Sequence, residues 1–200
     1  ILLEKIKALG IQTEVPTLSR SALIASIYNN LPFLESLLKE ELFKDFLSFL
    51  LNEPDPKENN FNPLLDATQF GYTEIVRLLL NQPDVKVNAK TKDGFTALHL
   101  ACQYGRQDIA KLLLLHEQIN VSETTNNGYT ALMIAAQNGH AEIVKLLLQH
   151  KDKGKEIDIN AQGAKGFTAL MIAAQNGHTE IVKLLLQHKD INVNLKGPDN

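Results

Sequence analysis

Apolar residues in this chain fall into short runs separated by polar punctuation. Ile143, Val144, Leu146, Leu147 and Leu148 crowd one such run, and Ala131–Asn138 just before it is mostly apolar. The pattern predicts two short helices, Ala131–Asn138 and Ala141–Gln149, joined at Gly139, where a left-handed residue ends the first. Glu142 falls in the first turn of the second helix, where a carboxylate meets the positive end of the dipole. That helix carries more apolar positions than one face can bury within its own unit, so neighbouring units must cover the rest.

Neighbouring units are present. Ala131–Asp152 and Ala169–Asp190 differ at one of 22 positions, Ala141 against Thr179. Looser copies run from Ala97 to Leu114 and from Pro63 to Leu80, and the glycines Gly71, Gly105, Gly139 and Gly177 are spaced 34, 34 and 38 residues apart. The four extra residues of the last gap are placed at Lys153-Gly154-Lys155-Glu156. Asp93-Gly94, Asn127-Gly128 and Lys165-Gly166 precede successive helix pairs; such pairs mark tight turns, so a hairpin-like finger is expected to project before each.

The ends read differently. Ser21–Leu38 aligns without gaps on Thr96–Leu113, with Asn30 in place of Gly105, as a degenerate further unit. Leu34, Leu38, Leu42, Phe46 and Leu50 extend its second helix, and Ile1–Leu9 adds another helix stopped by Gly10. Residues 1–61 are thus expected to form a helical cap with a degenerate repeat. Residues 62–200 are expected to hold four repeats, about 62–90, 91–124, 125–162 and 163–194, plus the start of a further finger. The apolar residues around Leu184–Leu186 then lack a cover, from which the chain is expected to continue beyond Asn200 or to lose order there.

These units resemble the ankyrin repeat. The resemblance rests on Asp93-Gly94-Phe95-Thr96-Ala97-Leu98-His99, then Ala101, Gly105 and Ile109–Leu114. In the third and fourth units it rests on Gly-(Tyr/Phe)-Thr-Ala-Leu, Ala-Ala-Gln-Asn-Gly-His and Glu-Ile-Val-Lys-Leu-Leu-Leu. It implies an all-α solenoid of helix-turn-helix units with short β-hairpin-like fingers. There are departures. The family's Thr-Pro-Leu-His has alanine for proline at Ala97, Ala131 and Ala169, and its histidine survives only as His99; Leu65, Met133 and Met171 replace it elsewhere. Its hydrogen bonds are therefore in question in three units.

The resemblance also implies function: a protein partner gripped by finger tips and the exposed side of the first helices. Carried over, the partner-binding set is Phe61, Gln69 and Phe70; Lys92, Asp93 and Phe95; Gln103 and Tyr104; Asn126, Asn127 and Tyr129; Gln137 and Asn138; Lys165 and Phe167; Gln175 and Asn176. The rings Phe61, Phe95, Tyr129 and Phe167 have two readings: they bury area against a partner at small rotamer cost, or they stack between fingers and stiffen the row. The alternative function is a substrate-targeting module of a larger enzyme or effector whose catalytic domain lies outside this chain. The repeat style is similar to microbial ankyrin proteins, including effectors that intracellular bacteria deliver into host cells.

Composition narrows the classes. Hydrophobic residues make up 44% and charged residues 22% of 200, as in an ordinary globular chain. The formal net charge is −3; residues 1–61 hold six basic and nine acidic residues, and the rest hold fourteen of each. Nucleic acid is therefore not the expected partner, since a phosphate-coating protein needs a basic face. The lone Cys102 excludes a disulfide framework and fits an intracellular, cytoplasmic compartment; the chain is expected to be a monomer. No apolar run is long enough to span a membrane. His116, His150 and His188 occupy equivalent places after the second helices, but repeats roughly 8–10 Å apart sit awkwardly for sharing one ion, so no metal is expected. His140 and His178 are expected to bond locally to backbone. No catalytic constellation or phosphate loop is present, so neither a reaction nor a cofactor is expected.

Overall fold

The computed structural model describes residues 62–150 and 157–197. Among them eight helices follow one another in pairs: α1 (Pro63–Phe70) and α2 (Thr73–Leu80), α3 (Ala97–Gln103) and α4 (Gln107–Leu114), α5 (Ala131–Gln137) and α6 (Ala141–Gln149), α7 (Ala169–Gln175) and α8 (Thr179–Leu186). The expected cap and degenerate repeat over residues 1–61, Phe61 and the insertion at 153–156 lie outside the described residues.

The first helix of each pair starts on a side-chain cap. Asn62 Oδ1 accepts from the Leu65 N–H at 3.0 Å. Thr96, Thr130 and Thr168 hydroxyls accept from His99, Met133 and Met171 N–H groups at 3.3–3.4 Å, satisfying one of the orphan donors each helix start leaves. Only α3 closes the reciprocal half: His99 Nδ1 accepts from the Thr96 N–H at 3.1 Å and sits 2.8 Å from its hydroxyl. Met133 and Met171, in the same register, have no such acceptor to offer. The second helices start without a side-chain cap. The loop before each is tied by a backbone N–H from Tyr72, Arg106, His140 or His178 to a carbonyl five residues back, with Gly71, Gly105, Gly139 and Gly177 left-handed between them.

First helices pack on first helices (α1, α3, α5, α7) and second on second (α2, α4, α6, α8), giving two layers with the core between them. Leu64, Leu98, Leu132, Ile109, Leu113, Ile143 and Leu147 are fully buried there. Val85, Val87, Ile119, Val121 and Ile159, from the connecting segments, complete it. Cys102 is buried, and burial pushes its thiol pKa up, leaving an inert, protonated side chain.

Successive units are pinned across their loops, which corrects the expectation of local bonding for His140 and His178. Arg106 donates to the Gln69 carbonyl (Nη2 3.0 Å, Nε 3.3 Å), His140 Nε2 reaches the Gln103 carbonyl at 3.4 Å, and His178 Nε2 the Gln137 carbonyl at 3.0 Å. Each of these carbonyls lies in the last turn of a first helix and has no intrahelical donor. The close approach requires the preceding unit's glycine. A Cβ on Gly71 would stand 2.9 Å from the Arg106 guanidinium carbon, and one on Gly105 or Gly139 would stand 2.6 or 2.8 Å from Cε1 of His140 or His178.

Candidate partner-binding surface

The fingers are built alike. Thr91, Thr125 and Gly163 each donate their N–H to the carbonyl of the ring residue four positions on: Phe95, Tyr129 and Phe167. Their own carbonyls accept from Gly94, Gly128 and Gly166 at 2.8–3.0 Å. The loop is thus three residues long and ends on a left-handed glycine, as in a tight hairpin with a bulge. Pairing stops there: an isolated antiparallel bridge, Thr124 with Thr130, is found among the described residues. In the fingers of the second and third repeats the threonine hydroxyl also accepts from the ring residue's N–H, at 3.1 and 3.2 Å; Gly163, in the fourth, has no hydroxyl to do so.

The tips stack closely. Asn126 N–H donates to the Asp93 carbonyl at 3.0 Å, its side-chain amide to the Lys92 carbonyl at 2.7 Å, and Ala164 N–H to the Asn127 carbonyl at 3.2 Å.

The implied binding residues are distributed as follows. Lys92, Asp93, Asn126, Asn127, Lys165, Gln137, Asn138, Gln175 and Asn176 are exposed, as are Phe70 and Tyr104, at 49% and 43%. Gln69 and Gln103 are half-buried. Phe95, Tyr129 and Phe167 are half-buried too, each with one side against the core. Phe95 meets His99 edge-on at 6.1 Å, and Phe70 stacks on Tyr72 at 5.9 Å. The Asn138 and Asn176 amides donate back to the Ile134 and Ile172 carbonyls at 2.8 and 2.9 Å, and so help to finish their helices.

Six of these residues converge. Phe95 and Gln103 of the second repeat, with Asn127, Tyr129, Gln137 and Asn138 of the third, line a cleft of about 310 Å³ between the two units. Thr125 and Ile134 complete the lining. Neither was singled out from sequence, although Thr125 repeats the register of Thr91 and Ile134 is the sole residue of α5 in the lining besides Gln137. The side-chain amides of Gln103, Asn127 and Gln137 and the Tyr129 hydroxyl make no hydrogen bond within the described residues. Two of the lining residues are tied to the unit that follows: the Gln103 and Gln137 carbonyls are the ones His140 and His178 pin.

Away from the cleft two lysines tie neighbouring segments together. Lys90 pairs with Glu123 at 2.7 Å and holds that carboxyl below the usual range, with help from the Asn120 amide. Lys145 lies between Glu142 (2.6 Å) and Glu180 (3.2 Å), which favour its charged form. Among the described residues no three His, Cys, Asp or Glu side chains gather to hold a metal ion. No described helix is long and apolar enough to cross a membrane.

Stacked helix pairs with projecting fingers and an amide-lined inner surface define a repeat solenoid. A family model for ankyrin repeats (three copies) matches residues 23–125 and 114–197, and the chain belongs to that family. No curated protein matches it. Ankyrin repeats generally serve as protein–protein interaction modules.

Proposed function

We propose that this chain binds a protein partner through the surface formed by its fingers and first helices, centred on the cleft between the second and third repeats, and that it does so without catalysis. The observation that carries this reading is the convergence there of two half-exposed rings with three side-chain amides that have no partner among the described residues. Unsatisfied amides at a rigid surface favour an incoming polar chain, because they need give up only water to bond it. Rings held on one side by the core add apolar area with little ordering left to do. The working context proposed is a monomer in the cytoplasm, or in a host cell should the source be an intracellular bacterium; the fully buried single cysteine needs no oxidising compartment.

Affinity capture from lysate tests the surface. Gln103→Glu with Gln137→Glu should strip the captured partners, while Lys111→Glu, on the exposed side of α4, should keep them. Loss with Lys111→Glu and retention with the double variant would place binding on the second helices instead.

A further inference from the structure

Resting on that reading, we propose that the cleft takes an extended peptide segment of the partner, uncharged where it crosses Tyr129 and carrying an acidic residue about three positions further on, over the finger tip of Lys165. Among the described residues the lining holds no carboxylate or cation: Phe95, Gln103, Thr125, Asn127, Gln137 and Asn138 surround Tyr129 and Ile134. A charged side chain seated there would lose water and gain no counter-ion. Each free amide offers a donor and an acceptor side by side, which is what a peptide unit presents in turn.

The tips set the charge on either side. Equivalent positions before the turn glycine are Asp93, Asn127 and Lys165. In the second finger Lys92 precedes Asp93, so that tip has no net charge; in the third the pair is Asn126-Asn127; in the fourth Ala164 precedes an exposed Lys165. Lys165 is thus the sole charge on the third and fourth tips. Adjacent units lie roughly 8–10 Å apart, and an extended chain rises about 3.3 Å per residue, which puts the tip of Lys165 about three residues along from the cleft.

The test uses the whole 200-residue chain as bait for displayed random twelve-residue peptides, with the enriched peptides then titrated by fluorescence anisotropy. The enriched set should share an uncharged stretch followed or preceded, about three residues away, by Asp or Glu. Tyr129→Ala and Gln137→Ala should each weaken binding by about tenfold. Lys165→Glu, on an exposed side chain with no structural role, should weaken it and should select Lys or Arg at the acidic position instead. Enrichment of nothing, or of peptides without an acidic preference, overturns the proposal. If Tyr129→Ala abolishes binding while Lys165→Glu changes neither affinity nor selected sequence, the peptide assignment fails and the surface stands. If no cleft substitution affects a bound peptide, both fail.

Discussion

The third and fourth repeats are almost the same sequence in two settings. From Ala131 to Asp152 and from Ala169 to Asp190 only Ala141 and Thr179 differ, yet among the described residues the third unit has a helix pair on each side and the fourth has one only on its α5/α6 side. One set of equivalent residues is buried in both, against the partner helix or the preceding unit: Ala131 and Ala169, Ile134 and Ile172, Ala135 and Ala173, Ile143 and Ile181, Leu147 and Leu185. Residues that face the following unit part company. Met133, Leu132, Ala136 and Val144 are buried, whereas Met171, Leu170 and Val182 are half-buried and Ala174 exposed. Leu186 is 49% exposed. Gly139 is packed on His178, and Gly177 has no atom within 4 Å of where a Cβ would stand. A large share of the burial in this fold is therefore made at interfaces between units, as a one-dimensional stack requires.

The largest expected effect follows directly. Met133→Ala should cost about 2–5 kcal/mol by leaving a cavity, and Met171→Ala about 1 kcal/mol, since a half-exposed site loses transfer energy without a closed void; denaturant unfolding of the two variants measures both. Next is a comparison between His99 and its methionine equivalents. Burial above all lowers the His99 pKa from 6.5 to about 4, against the nearby Glu123 and Tyr129 carbonyls, which favour the charged form. The folded chain therefore keeps it neutral while the unfolded chain takes up a proton below 6.5. Stability should be full above pH 6.5 and fall as pH drops toward 4, by about 3 kcal/mol from this group. His99→Met should flatten that part of the pH profile of unfolding. Third, Gly139→Ala should cost about 1 kcal/mol more than Gly177→Ala in thermal unfolding: both pay for the left-handed backbone, but only Gly139→Ala displaces an imidazole from its carbonyl. The smallest effect is a gain. A Cβ on Gly163 meets nothing closer than 3.6 Å, so Gly163→Thr should restore the hydroxyl bond of the other fingers and stabilise by about 0.5–1 kcal/mol, read as a raised melting temperature.

The fold was legible because the repeat period, the turn glycines and the surplus of apolar residues in each second helix all encode stacking. The helix pair Ala131–Asn138 and Ala141–Gln149 differs from the structure by one residue, Asn138 being the cap beyond Gln137. The pinning by Arg106, His140 and His178 was not legible. Period and pattern say that Gly105 and His140 recur, but not that a side chain from one unit fills the space left by a missing Cβ in the one before. The cleft was half legible. Its rings and amides follow from register within a unit. That Phe95 and Gln103 join Tyr129 and Gln137 of the next unit, while Asn126 spends its amide on the Lys92 carbonyl of the unit before, depends on the stagger between units, which no single repeat contains.

Native-state hydrogen exchange on the 200-residue chain tests the interface account most directly. The amides of Ile134–Gln137 in α5 should exchange only through global unfolding, while their twins Ile172–Gln175 in α7 should exchange through a partial opening of lower free energy, ordered the same way at every denaturant concentration below the main transition. Equal protection in the two helices would mean that each unit carries its own stability, contradicting the claim that burial here is made between neighbours.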